Sequence, residues 1–274
     1  MTIDPNSAAA IPIQLFRDDQ FITYASGCVY RHNRRTFVLT NWHVLSGRHA
    51  HSGLPLDERT LAIPNRIEIP YLQSMDTTKP ISTLSQEWFR WVPKWTWMRH
   101  SILEVDGRAR WYQHPLGRRV DIAALPIDIL TGTAKASLLP IDSHSHPISL
   151  ENGSDCFVIG FPLAPDPEEP LPIWKRATIA SEFQLDYKGL PCFLIDTATR
   201  SGMSGSPVII RPPDGAIGGS TAFMGIYSGR LGANDIGQVQ LGVVWRKAAV
   251  EEMLNNLVMG TPETGIDVDP RLRI

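Results

Sequence analysis

The 22 prolines and 21 glycines in this 274-residue chain cut it into short apolar runs. Such runs, three to seven residues long, rich in β-branched and aromatic residues and bounded by turn formers, read as strands rather than helices. Phe21 to Tyr24, Cys28 to Tyr30 and Phe37 to Thr40 come first, with Asn33-Arg-Arg as a hairpin turn. Ile67 to Tyr71, Ile102 to Val105 and Ile122 to Leu125 follow. After Pro147 come Cys156 to Gly160, Ala177 to Phe183, Cys192 to Asp196, Pro207 to Ile210, Phe223 to Ser228 and Gln240 to Val244. Many short strands at short spacing predict an all-β barrel or sandwich.

One helix is legible. Ala248, Val250, Met253, Leu254 and Leu257 approximate a helical stripe over Lys247 to Leu257. Residues 128 to 150, small and polar, read as a connection between two halves, and 261–274 as a loose tail. The predicted organisation is an N-terminal barrel over 12–135, a C-terminal barrel over 145–246 and the helix over 247–257, all within a domain spanning 1–260. The stretch 53–118 is set apart as an insertion, because Trp88, Trp91, Trp95, Trp97 and Trp111 crowd into it. Five indoles require burial or a partner. A local core is the first reading and a protein-binding surface the second.

Charge and composition narrow the function classes. A net charge of -2 supplies no broad positive field for nucleic acid. No apolar run approaches the roughly 20 residues that span a bilayer. Met1 to Ala10 lacks the basic and apolar regions of a secretory leader, so a cytoplasmic location is expected. Cys28, Cys156 and Cys192 are odd in number, none stands in a Cys-x-x-Cys pair, and each has apolar or small neighbours. They read as buried core thiols in a reducing compartment. His49-x-His51 and Asp142-x-His144-x-His146 have no recognised ligand spacing, so no metal and no cofactor is expected.

Three segments carry chemistry. Arg200-Ser-Gly-Met-Ser-Gly-Ser-Pro-Val-Ile is a small-residue turn running into a strand. Such a turn can expose a hydroxyl and leave backbone N–H groups free, as acyl transfer requires, although an ordinary Gly/Ser loop would look similar. In Phe37-Val-Leu-Thr-Asn-Trp-His-Val-Leu, His43 stands just beyond an apolar strand where the chain turns. In Arg119-Val-Asp-Ile-Ala-Ala-Leu, Asp121 interrupts an apolar run. A carboxylate there needs a partner, either an imidazole N–H or the adjacent Arg118 or Arg119.

Chain order discriminates among hydrolase folds. The last histidine is His146, so no histidine follows Ser204 as an α/β-hydrolase requires. A subtilisin order would need an aspartate before His43, and the strand-rich surroundings do not suit that fold. The order His43, Asp121, Ser204 is that of chymotrypsin-like barrels.

On these blocks the chain resembles the trypsin-like serine peptidases of the bacterial HtrA and glutamyl-endopeptidase kind. Gly27 to Leu45 is similar to the strands leading to the catalytic histidine, and Asp121-Ile-Ala-Ala-Leu to the catalytic-aspartate block. Cys156-Phe-Val-Ile-Gly-Phe-Pro resembles the strand opening the second barrel, and Ser201 to Ile209 the nucleophile block. The resemblance implies a chymotrypsin-like double β-barrel with the site in the cleft between the barrels. It implies a serine endopeptidase acting on protein or peptide, with Ser204 as nucleophile, His43 as base and then acid, and Asp121 fixing the histidine tautomer. It places the oxyanion-hole N–H groups at Gly202 and Ser204, and substrate-binding positions at Ala198, Thr199, Tyr227, Ser228 and Gly229.

The departures bear on specificity and control. Tyr227 stands where glutamyl endopeptidases carry a histidine, and Ala198 where trypsin-type pockets are acidic. Neither preference is therefore implied. A polar or acidic side chain, admitted by Thr199, Arg200 and Arg230, and a small apolar one both remain open. No Ile/Val-Val-Gly-Gly start or PDZ-like module is visible. The alternative function is a latent or inactive protease-fold binding module that recognises a regulatory protein partner through the Trp-rich stretch.

Overall fold

The computed structural model describes residues 3–77, 81–83, 86–88, 91–127, 140–141, 150–198, 200–211, 221–230 and 240–261, with the backbone alone described for those within 74–93. The fold is all-β, as the run pattern predicts, with the double-barrel architecture that the resemblance implies. A helical turn α1 (Pro5–Ala9) is capped by Asp4 and leads into β1 (Ala10–Arg17), β2 (Gln20–His32) and β3 (Arg35–Thr40). β2 and β3 meet through Asn33 and Arg34, both at positive φ (46° and 66°), the geometry of a two-residue hairpin turn whose twist matches the strands. The predicted pieces Phe21 to Tyr24 and Cys28 to Tyr30 belong to this one 13-residue β2.

After the turn α2 (Trp42–Ser46) come β4 (Arg66–Thr77), β5 (Ile81–Thr83), β6 (Gln86–Trp88), β7 (Trp91–Ser101), β8 (Tyr112–Gln113) and β9 (Ala123–Pro126). The second half holds β10 (Asp155–Gly160), β11 (Ile173–Ile179), β12 (Cys192–Asp196), β13 (Pro207–Ile210), β14 (Ala222–Arg230) and β15 (Leu241–Arg246), then α3 (Lys247–Asn256) and β16 (Val258–Met259). The first half is an eight-stranded sheet ordered β16-β8-β9-β3-β2-β1-β4-β7, and the second a closed barrel ordered β10-β11-β12-β15-β14-β13. The stretch set apart as an insertion thus supplies β4 and β7 to the main sheet. β16 returns from the far end of the chain to pair with β8.

Strand alternation builds three apolar layers. Phe37 and Leu39 of β3 face one way with Cys28 and Tyr30 of β2, while Val38 and Val29 face the other. Val29 and Val38 join Ile13, Trp42, Ile67 and Trp111 inside the first half. Val158, Phe193, Val208 and Val244 fill the closed barrel. The middle layer joins Tyr30, Phe37 and Ile122 of the first half to Ile209, Phe223 and Trp245 of the second and to Val250 and Met253 of α3. Strands buried on both faces read as continuous apolar runs rather than alternating ones, which is why Phe-Val-Leu and Cys-Phe-Leu-Ile were conspicuous.

Two strand readings require correction. Ile102 to Val105 is not a strand, as only Leu103 bridges, to Ala109, and Val105 is fully exposed at a turn. Ala177 to Phe183 overlaps only the end of β11, which begins at Ile173. The outward residues Trp174 and Arg176 hide the start of that strand from a reading that seeks apolar runs. Of the tryptophans, Trp111 is fully buried in the first-half core, and Trp95 and Trp97 are half-buried. The Trp97 indole N–H donates to Pro167 O at 3.0 Å, tying the β4–β7 arm to a loop of the second half. The side chains of Trp88 and Trp91 lie outside the described residues. So do most of the 128–150 connection and all of the tail after Thr261. Among the described residues, no helix is long and apolar enough to cross a membrane.

Candidate active site

The pairing of β3 with β9 brings two of the three predicted groups together. Thr40 lies opposite Ala123, so His43, three residues beyond Thr40, and Asp121, two residues before Ala123, leave the sheet at the same end. Asp121 is 4% exposed, and its carboxylate is surrounded by donors. One oxygen accepts the backbone N–H of His43 at 2.9 Å. The other accepts His43 Nδ1–H at 2.7 Å and the Ser228 hydroxyl at 2.5 Å. An ionised carboxylate only accepts, so Nδ1 carries the proton and Nε2 keeps its lone pair. Asn41 donates through Nδ2 to Asp121 O at 2.7 Å, holding the backbone of the same residue.

Ser204 comes from the second half, in the turn preceding β13. Gly202 (φ +93°) and Gly205 (φ +87°) adopt the left-handed conformation there. A Cβ on Gly205 would lie 2.0 Å from Ser26 O, and one on Gly202 would lie 2.4 Å from Phe161 O. Glycine is therefore required both by φ and by space. Ser26 clamps this turn to the first half. Its N–H donates to Ser204 O at 2.9 Å, its hydroxyl donates to Gly202 O at 2.7 Å, and that hydroxyl accepts Phe161 N–H at 2.9 Å. Thr40 in turn donates its hydroxyl to Ser26 O at 2.8 Å.

His43, Gly202 and Ser204 line one open cleft of about 550 Å³. Asp121, Ser228 and Gly229 border a smaller cavity behind it, of about 210 Å³. Ala198 borders a third, of about 540 Å³, whose Thr23, Tyr24 and Ser201 walls are shared with the His43–Ser204 cleft. The Ser204 hydroxyl points to Ser228 O at 3.5 Å, and no hydrogen bond joins it to His43. Among the described residues, the N–H groups of Gly202 and Ser204 have no acceptor, whereas the intervening Met203 N–H is bound to Arg200 O at 3.3 Å.

The remaining predicted positions fall differently. Ser228 meets the aspartate rather than the cleft. The Tyr227 side chain is 1% exposed and belongs to the barrel core with Met203 and Val244, while its backbone brackets the Ser204 turn by accepting Gly205 N–H and donating to Ser206 O, both at 2.9 Å. Thr199 lies outside the described residues. The sequence reading missed Ser26, Thr40 and Asn41. Their roles depend on pairings across the chain, and only the Leu-Thr-Asn-Trp-His block drew attention to the last two. The cysteines are free and buried. Burial pushes the Cys156 and Cys192 thiols up to about 12, and Cys28 up as well, so none is a ready nucleophile. Among the described residues, no group of three or more His, Cys, Asp or Glu is placed to hold a metal ion.

Comparison with known proteins gives the context for this geometry. Residues 25–216 match the model of the trypsin-like peptidase domain. No curated protein matches the chain. Among solved structures, the Rv3671c protease of M. tuberculosis in its active form is similar at 16% identity and a TM-score of 0.48, over 94% of this chain and 84% of that one. The serine endoprotease from Yersinia pestis is similar at 14% identity and a TM-score of 0.50, over 94% of this chain and 68% of that one, a likeness of fold alone. With the family model covering well over half of its length, the chain belongs to the trypsin-like peptidase domain family.

Proposed function

We propose that the protein is a serine endopeptidase working through His43, Asp121 and Ser204. The observation that carries the reading is the carboxylate of Asp121, which binds both the backbone and the Nδ1–H of His43. That arrangement leaves Nε2 as a base facing the cleft that Ser204 shares. His43 Nε2 takes the proton of Ser204 as Oγ bonds to the peptide carbonyl carbon. The oxyanion is met by the N–H groups of Gly202 and Ser204, which have no other acceptor among the described residues. The imidazolium, stabilised by Asp121, gives its proton to the leaving amine. Water, deprotonated by the same nitrogen, then hydrolyses the acyl-enzyme. The free cysteines support a reducing, cytoplasmic setting.

A second reading rests on the Ser204 hydroxyl, which addresses Ser228 O rather than His43. In this reading the site rests without a Ser204–His43 hydrogen bond, and a protein partner docked on the Trp-rich arm brings the two groups together. Fluorophosphonate labelling decides between the two. Labelling of the wild type and not of Ser204→Ala supports the active peptidase. Labelling that persists in Ser204→Ala overturns the assignment, and none in either protein supports the latent module.

A further inference from the structure

Among the described residues, several guanidinium groups are matched by a carboxylate. Arg66 and Arg99 share Asp19, Arg108 meets Asp106, Arg176 meets Asp155, Arg211 meets Asp4 and Arg246 meets Asp186. Arg200 and Arg230 have no such partner, and they lie together at one cavity. Both are exposed, both line the cavity of about 540 Å³ beside the nucleophile turn, and neither side chain has a hydrogen bond or carboxylate among the described residues. No residue lining that cavity is acidic. Nearby, Lys175 Nζ donates to the carbonyl of Ala198, which lines the cavity. The opposite wall is apolar, with Phe21 stacked on Tyr24 at 6.3 Å.

Like charges gathered in one recess repel one another until an anion enters, and the low-dielectric walls concentrate their field. The guanidinium fork matches the two oxygens of a carboxylate. The cavity reaches Ser201, next to Gly202, and shares Thr23 and Tyr24 with the cleft that holds His43 and Ser204. A polypeptide lying across Ser204 would therefore pass its mouth. We propose that Arg200 and Arg230 form a subsite for a glutamate or aspartate side chain flanking the scissile bond. The identity of the ligand as a polypeptide rests on the peptidase reading above, whereas the anion preference rests on the charges alone.

The test is peptide binding to the Ser204→Ala protein, measured by fluorescence anisotropy. Labelled peptides carry one Glu walked along the positions around the central bond, each with a Gln counterpart. At one position the Glu peptide is expected to bind about 10- to 100-fold more tightly, the range for charge-assisted hydrogen bonds to two guanidiniums. Adding Arg200→Gln and Arg230→Gln is expected to bring the pair within about twofold while the thermal midpoint stays unchanged, and Arg230→Glu to favour a Lys peptide. Equal binding of Glu and Gln peptides at every position overturns the proposal, as does discrimination that survives the double substitution. Fluorophosphonate labelling of the unsubstituted protein reports separately on the peptidase reading. Glu preference without labelling leaves the subsite standing and the enzyme assignment fallen, and labelling without Glu preference does the reverse.

Discussion

Replacing Ser26 by alanine tests how the two halves hold the nucleophile turn. Ser26 is fully buried, and one hydroxyl serves two partners, donating to Gly202 O at 2.7 Å and accepting Phe161 N–H at 2.9 Å. Removing it leaves a buried acceptor and a buried donor unmet. Each unsatisfied group costs about 1–3 kcal/mol, so Ser26→Ala should destabilise the fold by about 2–6 kcal/mol. The lower end applies if a water enters the space. The backbone bond from Ser26 N–H to Ser204 O survives the substitution, so the turn stays attached but Gly202 is free to reorient its peptide. Urea unfolding followed by tryptophan fluorescence gives the stability change, and the rate of fluorophosphonate labelling gives the effect on the site. Both should fall, and the labelling rate should fall even well below the unfolding transition. An unfolding midpoint and labelling rate equal to wild type would refute the claim that this hydroxyl joins the halves.

Two further substitutions probe the charge arrangement. Asp121→Asn must present an amide N–H toward either the backbone N–H or the Nδ1–H of His43, or force the other histidine tautomer. The labelling rate should fall by about 10³- to 10⁴-fold with the fold intact by circular dichroism, and a fall below tenfold would contradict the assigned tautomer. His114 is 1% exposed and accepts Leu116 N–H on Nδ1 at 3.1 Å, with Glu252 Oε2 3.3 Å from Nε2. Burial holds its pKa below the ordinary imidazole range, with Glu252 acting in the opposite direction. A depressed histidine favours the folded state above the unfolded pKa of about 6.5, and that contribution is lost as pH falls through the folded value. The urea midpoint should therefore drop from about pH 7.5 to about pH 5, less steeply in His114→Gln. An unchanged pH slope in that variant would remove His114 from the account. His100, also held low by burial, acts in the same direction and supplies part of the remaining slope.

What could be read in advance followed from burial geometry. β12 and β13 were legible to the residue because both of their faces meet apolar layers, with Asp196 at the end of β12 the one exposed polar residue in either strand. β11 was not, because its outward face alternates Trp174 and Arg176 against the inward Ala177 and Ile179. Val105 misled for the converse reason, since a single β-branched residue is tolerated at an exposed turn. The short pair β8–β16 joins residues far apart in the chain, and two-residue strands carry no periodicity to detect. The three residues of the proposed triad stand out by type and order, because acyl transfer requires such groups and few folds present them in that order. Ser26 and Ser228 were not legible as structural partners. A serine's worth as a clamp or as a donor to a buried carboxylate is decided by what lies opposite it, 176 residues away for Ser26 and 107 for Ser228.

That distance has a consequence for how the site exists at all. Asp121 and His43 belong to one half, Ser204 and Ser228 to the other, and Ser228 reaches across to the same carboxylate oxygen that holds the imidazole. The middle apolar layer, with Phe37, Leu39 and Ile122 against Ile209, Phe223 and Trp245, is what keeps these groups within hydrogen-bonding reach. α3 packs its Val250 and Met253 into the same layer, and β16 then pairs with β8, so the end of the chain straps the second half onto the first. Each half has its own interior, but the constellation of donors around Asp121 takes residues from both. Reactivity at Ser204 therefore reports on the docking of the halves, and the charge recess at Arg200 and Arg230, whose walls come from β2 as well as from the second half, depends on the same contact.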